Sequence, residues 1–414
     1  MGGWRSGSCA HTSVWIPGIG SSSTSKSSGT SQAGIGTLPS RLPRAPSKEL
    51  DATESDIASE VEAESFMQPY ESDINDVAMD LHQTLDAISD TTQLLEKEGA
   101  YGQTAWCELH KSNCVVAPQR GGAGMLLVGA GMTCTDHSPI GMQEGLAGAS
   151  TLPCMSFIRS LQEDMPDAAI LECAASWDSM MAATTCRKTH TLHTCSPAPC
   201  PSQFGWPVAR VRFWGIALSN SWRMTMTWKD FSACFRRTCT MDGHAFFAAP
   251  DVIVEAELLK EARKQAVHVA PSEKPNFADH ALSVGHTRRL KSARDLSESK
   301  GWAGPLLSDL DHNPLKKARV STTGKMMTQL THGTIWSDAA QRPLVRQECL
   351  SLQGFQTLPS VHGDSCPLPW AECMDSLSPG QVHQLSGNGM HMHVLVLVLC
   401  WLLGCAEPMP ADSD

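Results

Sequence analysis

The chain has 414 residues, of which 41% are hydrophobic and 6% are aromatic. This composition excludes a wholly disordered chain and is sufficient for one large domain or two ordinary ones. The formal net charge of −11 is unevenly distributed, because positions 49–98 hold fifteen acids and one base, which leaves +3 for the remainder. We therefore expect a mildly basic body that is compatible with nucleic acid, and a separate acidic segment.

Sixteen cysteines are scattered without regular spacing, and the N-terminus has no apolar segment typical of a secretory signal. We therefore expect free thiols in a reduced compartment. Residues 1–46 are rich in Ser, Gly and Pro and contain no acid, so we predict a disordered tail. An organelle transit peptide is the alternative interpretation of this segment.

Residues 47–120 form the acidic segment, in which apolar residues recur at helical spacing. The pattern predicts an amphipathic helix over 73–97. Its apolar positions are Ile74, Val77, Leu81, Leu85 and Ile88.

From residue 121 the pattern changes to buried strands that alternate with a helix. The runs MLLV (125–128), AAIL (168–171) and VRFWGIAL (211–218) predict strands, and SFIRSLQED (156–164) predicts a helix. This alternation is typical of an α/β fold with a parallel sheet, which we place over residues 121–220.

Residues 221–340 are less regular and contain the basic cluster. Its members are Arg288, Arg289, Lys291, Arg294, Lys316, Lys317 and Arg319. A regular pattern returns over 341–404 and includes the apolar run HVLVLVLCWLL, and a tail follows over 405–414. The run has eleven residues, whereas a membrane span needs about 20, so we predict a buried helix over 390–403 and no membrane anchor.

Polar side chains stand at the ends of the three predicted strands. Cys134 follows the first strand on a Gly-rich turn, Glu172 follows the second, and Arg210 and Arg212 share one face of the third. Active sites of α/β proteins lie at strand ends, so a thiol, a carboxylate and two guanidinium groups are candidates for one site. Each also has a structural interpretation, as a buried thiol, a helix cap or solvated arginines.

Two other patterns allow different functions. LLVGAG (126–131) resembles the start of a dinucleotide-binding loop, but Cys134 takes the place of its third Gly. A second cluster could bind zinc, although a Cys- and His-rich loop is the simpler interpretation and no standard finger spacing is present. Its members are Cys186, His190, His193, Cys195 and Cys200.

The order of the strand-end residues resembles that of the cytosine-5 DNA methyltransferases. The family's Pro-Cys-Gln loop, which a Ser follows, is similar to residues 133–135 with Ser138, and its Glu-Asn-Val strand end is similar to residues 172–174. The family's Gln-x-Arg-x-Arg strand resembles residues 208–212. Its late helix and closing Gly-Asn motif resemble RPLVRQECLSLQGF (342–355) and SGNGMHMH (386–393).

The chain also departs from the family's motifs. Thr133, Cys173, Val208 and Gln347 replace residues of the family pattern. The family's opening Phe-x-Gly-x-Gly cofactor loop is absent, because the one Phe before residue 150 is Phe66, which MQPY follows. Half of the expected cofactor site is therefore missing from the sequence.

The resemblance implies a Rossmann-like methyltransferase sheet that uses S-adenosyl-L-methionine, with a target-recognition region over 221–340. Cys134 would attack C6 of a flipped-out cytosine, Glu172 would hydrogen-bond to N3, and Arg210 or Arg212 would hold O2. Asn388 would contact the cofactor, and the basic cluster would bind DNA phosphates. The resemblance also implies a nuclear location. The alternative is an inactive methyltransferase-like protein that binds DNA or a partner.

Overall fold

The computed structural model describes residues 12–17, 104–107, 112–115, 124–132, 136–137, 144, 148, 151–264, 282–314, 319–358 and 377–410. All of them belong to one compact unit, formed by Met1–Pro17 and Thr91–Asp414. The predicted helix over 73–97 lies outside the described residues, as do Cys134, Lys316 and Lys317.

The described elements are strands and helices that are interspersed along the chain. The strands are β1 Thr12–Pro17, β2 Thr104–Cys107, β3 Ser112–Val115, β4 Gly124–Gly131, β5 Ala168–Ala174, β6 His190–Thr194, β7 Val208–Ala209, β8 Arg212–Ser219, β9 Trp222–Met224, β10 Leu307–Asp309, β11 Val320–Ser321, β12 Met326–Met327, β13 Ile335–Ser337, β14 Arg342–Pro343 and β15 Ala406–Pro408. The helices are α1 Thr151–Asp164, α2 Ser179–Cys186, α3 Trp228–Ala233, α4 Asp251–Lys264, α5 Val284–Ser299, α6 Arg346–Ser351, α7 Pro379–Asn388 and α8 Met392–Cys405.

The main sheet has five strands in the order β1-β4-β5-β8-β6. The three strands predicted from apolar runs are neighbours, which confirms the α/β class. Every residue of β5 is buried, as expected for a central strand with both faces covered. This strand consequently fixes the position of Glu172 near its carboxyl end.

The expectation of a parallel sheet holds for β4 and β5 but is wrong for β8, which runs antiparallel to β5. A short apolar run looks the same in either direction, so its periodicity cannot predict strand direction. The reversal places the start of β8, not its end, beside the end of β5, where Arg212 pairs with Ala174.

Two predicted tails contribute strands. Thr12–Pro17 lies within the segment that we expected to be disordered, yet it pairs antiparallel with β4 along its whole length. The sequence TSVWIP contains the β-branched and aromatic residues that suit a strand. Ala406–Pro408, in the predicted C-terminal tail, pairs antiparallel with Trp222–Met224.

The predicted C-terminal helix is present as α8 and packs on the main sheet. Val394, Val398, Trp401 and Leu402 are buried in one core with Ile216 of β8. Among the described residues, Pro379–Cys405 is long and apolar enough to cross a membrane by composition. The segment is interrupted at residues 389–391, which separate α7 from α8, and its α8 part covers the sheet.

The region over 221–340 is more regular than its sequence pattern indicated. It contains helices of 14 and 16 residues, α4 and α5, and most of a four-stranded sheet in the order β11-β10-β13-β14. A second core, which includes Leu307 and Ile335, joins this sheet to α6 and α7. Short strands of two or three residues are too brief to show a period of two, and this explains why the sequence did not reveal them.

Candidate base-binding site

Glu172 lies at the edge of the main sheet where β4 and β5 end together. Its backbone pairs with Gly131, and its carbonyl accepts a hydrogen bond from the Met132 amide at 2.9 Å. A Cβ atom on Gly131 would lie 4.0 Å from Glu172 Oε2. The Met390 Cε atom would lie 3.6 Å from the same position, so Gly131 is bordered by both side chains.

Arg212 forms an ion pair with Glu172, and its Nε lies 3.2 Å from Oε1. The Glu172 carboxyl is buried, and burial raises its pKa above the ordinary value, while Arg210 and Arg212 partly oppose this rise. The Arg212 side chain is 19% exposed, so its guanidinium reaches the surface. The pair therefore places a buried carboxyl, whose pKa is raised, beside a guanidinium that is partly exposed.

Arg210 has a different environment from Arg212, because it is buried and lies 4.0 Å from Glu172 Oε1. Its Nη2 donates to the carbonyl of Gly389 at 2.8 Å and to that of Gly387 at 3.3 Å. Its Nη1 donates to the carbonyl of Gln329 at 3.5 Å. Arg210, which lies between β7 and β8, therefore connects this segment to the end of α7 and to the loop after β12.

The turn between α7 and α8 brings the predicted cofactor residue to the surface. Asn388 is the last residue of α7 and is exposed, whereas its neighbours Gly387 and Gly389 supply their carbonyls to Arg210. The predicted contact of Asn388 with a cofactor stays a prediction.

The two motifs most characteristic of the resemblance meet at the start of α8. The Met392 amide donates to the Gln353 carbonyl at 2.8 Å. Gly354 has a φ of +82°, and a Cβ atom there would lie 2.5 Å from His393 Nδ1, so no other residue suits this position. The Trp206 ring stacks on His393 with ring centroids 4.4 Å apart.

Cys134, the predicted nucleophile, lies outside the described residues, so its distance from Glu172 stays a prediction. The structure thus brings together three of the four predicted catalytic residues. It also adds His391, which lies next to the turn and which the sequence did not single out. Burial, together with the charges of His393 and Arg210, holds the pKa of His391 well below its ordinary value.

The basic cluster is divided between exposed and internally bonded side chains. On α5, Arg288 and Lys291 are exposed, whereas Arg289 donates to the Leu310 carbonyl at 2.7 Å. Arg294 forms an ion pair with Asp338 at 2.6 Å. Arg319 is mostly buried and lies 3.3 Å from Asp309. Within the described chain, Arg288 and Lys291 are thus the members best placed for phosphate contacts.

The five residues of the alternative zinc cluster are separate structural groups. His190 is buried, and its ring nitrogens contact the Thr189 hydroxyl at 2.9 Å and the Pro166 carbonyl at 2.8 Å. Cys195 packs in the core with α8. Among the described residues, no group of three or more His, Cys, Asp or Glu side chains could hold a metal ion. The expected loop is also wrong, because Ser179–Cys186 is helical and His190–Thr194 is a strand.

No family model matches the chain, and no curated protein matches it. The chain is similar to several solved methyltransferase structures, at identities of 13 to 15% and TM-scores of 0.33 to 0.35. The Dnmt2 methyltransferase of S. pombe is 15% identical, with a TM-score of 0.35, over 67% of this chain and 78% of that protein. The methyltransferase EhMeth of Entamoeba histolytica is 13% identical, with a TM-score of 0.33, over 67% and 76%. A putative DNA modification methyltransferase from an E. coli prophage is 14% identical, with a TM-score of 0.35, over 62% and 74%.

Proposed function

We propose that the chain is a diverged cytosine-5 DNA methyltransferase-type protein whose site binds a flipped-out cytosine and adds the Cys134 thiolate to C6. The observation that carries this proposal is the buried Glu172 carboxyl, paired with Arg212 at the end of two parallel strands. Cys134 follows Met132 by two residues, so chain connectivity limits the separation of their Cα atoms to about 7.6 Å.

The chemistry of cytosine matches these residue types. The ring has an acceptor at N3 and another at O2, and a carboxylic acid beside a guanidinium can donate to both. Burial raises the pKa of Glu172, which is the direction that a general acid toward N3 needs. Arg212, which reaches the surface, would donate to O2, whereas Arg210 is held by backbone carbonyls and acts as a positioning residue.

The addition step balances without a further reactant. The thiolate of Cys134 forms a bond to C6, the ring electrons shift toward N3, and N3 takes the proton of Glu172. The resulting enamine is nucleophilic at C5 and accepts a proton there from solvent. Loss of the original C5 hydrogen, cleavage of the sulfur–carbon bond and return of the N3 proton to Glu172 restore the base and the site.

The resemblance implies S-adenosyl-L-methionine as methyl donor, and when bound it would supply an electrophilic methyl group to C5. The described residues do not fit this group. The outer edge of β4 pairs with an antiparallel strand, and the carbonyls next to Asn388 are bound by Arg210.

DNA is the proposed substrate, and the nucleus is the proposed location because the substrate is found there. Arg288 and Lys291 would contribute phosphate contacts, which are independent of sequence. A base inside a duplex must be extruded before the thiol can reach it, and a mismatched cytosine is extruded at lower cost.

Exchange of the C5 hydrogen tests this function without a methyl donor. A duplex with one mismatched cytosine is incubated with the protein in D2O and then analysed by mass spectrometry. The proposal predicts deuterium at C5 with the wild-type protein, no incorporation with Cys134→Ser, and a large decrease with Glu172→Gln. Wild-type protein that is folded and catalyses no exchange would contradict it.

A further inference from the structure

We infer that the turn over residues 386–391, formed by the end of α7 and the residues before α8, positions Arg210 and so belongs to the base-binding side of the site, although the resemblance assigns its Asn388 to the methyl donor. This inference rests on the proposed function, because it assigns the turn to the same cytosine pocket. It makes Gly387 and Gly389 positioning residues, and it separates the turn from any role in holding S-adenosyl-L-methionine in this chain.

Within the described part of the chain, Arg210 contacts backbone carbonyls from two distant segments. Its guanidinium reaches the carbonyl of Gly389 at 2.8 Å, that of Gly387 at 3.3 Å and that of Gln329 at 3.5 Å. The three acceptors lie 119 to 179 positions away from Arg210 in the chain. Hydrogen bonds from a charged donor are about twice as strong as neutral ones, so these contacts hold the turn against the segment between β7 and β8.

The two glycines allow the close approach that these contacts need. A Cβ atom on Gly387 would lie 2.5 Å from the Thr331 amide nitrogen and 2.7 Å from the Leu330 carbonyl carbon. A Cβ atom on Gly389 would lie 2.6 Å from the Leu385 carbonyl oxygen. Both glycines therefore face the protein's own backbone and not a ligand.

Asn388 lies between the two glycines, and its side chain does not help to position Arg210 in the same way. Asn388 is exposed, and its side chain is not among the donors and acceptors around Arg210 within the described part of the chain. Replacement of its side chain should consequently leave the position of Arg210 unchanged.

The strand next to the turn also argues against a donor pocket. In doubly wound α/β sheets, cofactors bind where two neighbouring parallel strands diverge. Here the outer neighbour of β4 is Thr12–Pro17, and it runs antiparallel in register from Gly124 to Gly129. Of the two neighbours of β4, only β5 is parallel, and its end carries the base-binding carboxyl Glu172.

The turn also brings a second ionisable side chain, His391, close to Arg210. His391, two residues after Gly389, is 2% exposed and lies close enough to Arg210 for the two charges to interact. Burial lowers the pKa of His391, so a second positive charge beside Arg210 is disfavoured. The turn, Arg210 and Glu172 thus form one continuous polar unit.

Two titrations of the full chain test this inference. The first measures the affinity for a duplex with one mismatched cytosine relative to a matched duplex, since this ratio isolates base binding from phosphate binding. Gly389→Ala and Arg210→Lys should each reduce the ratio about tenfold, the effect of losing roughly one charged hydrogen bond. Asn388→Ala should leave it within about twofold of wild type. Arg210→Lys retains the charge, so it keeps the test valid if the glycine variant does not fold.

The second titration adds S-adenosyl-L-methionine to the wild-type chain in a calorimeter, and we expect no saturable heat. Saturable binding that Asn388→Ala weakens would overturn the inference while leaving the proposed function intact. A wild-type chain without preference for the mismatched cytosine would instead contradict the proposed function. A preference that Glu172→Gln removes and that Gly389→Ala and Arg210→Lys leave unchanged would overturn the inference alone.

Discussion

Arg212 Nε lies 3.2 Å from Glu172 Oε1, although 40 positions separate the two residues in the chain. The antiparallel pairing of β8 with β5 creates this contact, because it sets Arg212 opposite Ala174 and Trp214 opposite Glu172. A parallel arrangement of the same strands would place the arginine at the other edge of the sheet. Strand direction is therefore the feature that brings together the two residues of the proposed base-binding pair.

Arg212→Ala should raise the pKa of Glu172 further, because it removes a positive charge that opposes the effect of burial. The pKa is measurable by titration of the glutamate side-chain carboxyl carbons in nuclear magnetic resonance. Arg223→Ala is the matched control, since Arg223 pairs with Glu407 at the exposed surface. An unchanged Glu172 pKa in the Arg212 variant would show that the ion pair is not formed in solution.

Glu348→Gln should destabilise the protein by about 3–5 kcal/mol, because it breaks a buried ion pair and leaves a charge without its partner. Glu348 is fully buried and accepts two hydrogen bonds from Arg342 at 2.6 and 2.8 Å. It also accepts from the backbone amides of Val345 at 2.9 Å and Ala249 at 3.0 Å. The free energy of unfolding in urea measures the effect.

The control for Glu348 is Glu261→Gln, which removes the exposed pair with Lys264. Exposed pairs contribute about 0–1 kcal/mol, so this variant should unfold near the wild-type midpoint. Equal costs for the two substitutions would argue against a buried network at Glu348.

Asp311 should make the free energy of unfolding depend on pH in the acid range. Burial raises its pKa, but hydrogen bonds from His286 and Thr334 outweigh burial and lower the pKa from 3.8 to about 2. A depressed folded-state pKa contributes stability above the unfolded value, and this contribution is lost as pH falls from 3.8 toward 2.

Asp311→Asn should therefore remove this contribution to the pH dependence of the urea midpoint between pH 3.8 and about 2. His286→Ala should reduce the same pH dependence, because it removes one of the hydrogen bonds to Asp311. The comparison needs unfolding curves at a few values between pH 5 and pH 2.5. Parallel dependences for wild type and Asp311→Asn would show that Asp311 is not held by these hydrogen bonds.

Leu402→Ala should cost about 2–5 kcal/mol, because it leaves a cavity between α8 and the main sheet. Leu402 is fully buried, whereas its neighbour Leu403 is 49% exposed. Leu403→Ala should stay within about 0.5 kcal/mol of wild type. Similar costs at the two positions in urea unfolding would contradict the docking of α8 on the sheet.

Local sequence patterns predicted the strands that carry the site, but they did not predict how these strands are arranged. Apolar runs located β4, β5 and β8 because buried strands need continuous apolar sequence. The same runs carry no information on strand direction, so the contact between Glu172 and Arg212 could not be derived from them. The motif resemblance assigned these residues to one site, but it did not indicate which strand contacts bring them together.

The role of Arg210 could not be predicted from the sequence, for a different reason. Its partners are backbone carbonyls, which every residue carries, and they come from segments 119 to 179 positions away. Nothing in the residue types of Gln329, Gly387 or Gly389 distinguishes these carbonyls from others. The two arginines of one strand therefore looked equivalent until their surroundings were known.

The central claim is that Cys134, Glu172 and Arg212 form one site that activates a pyrimidine ring. Intact mass spectrometry can test it with a duplex that carries 2-pyrimidinone in place of cytosine, because this base lacks the 4-amino group and adds thiolates readily. The account predicts a species with the mass of protein plus oligonucleotide, which Cys134→Ser abolishes and Glu172→Gln strongly reduces. No adduct with the folded wild-type protein, or an adduct that persists in Cys134→Ser, would contradict it.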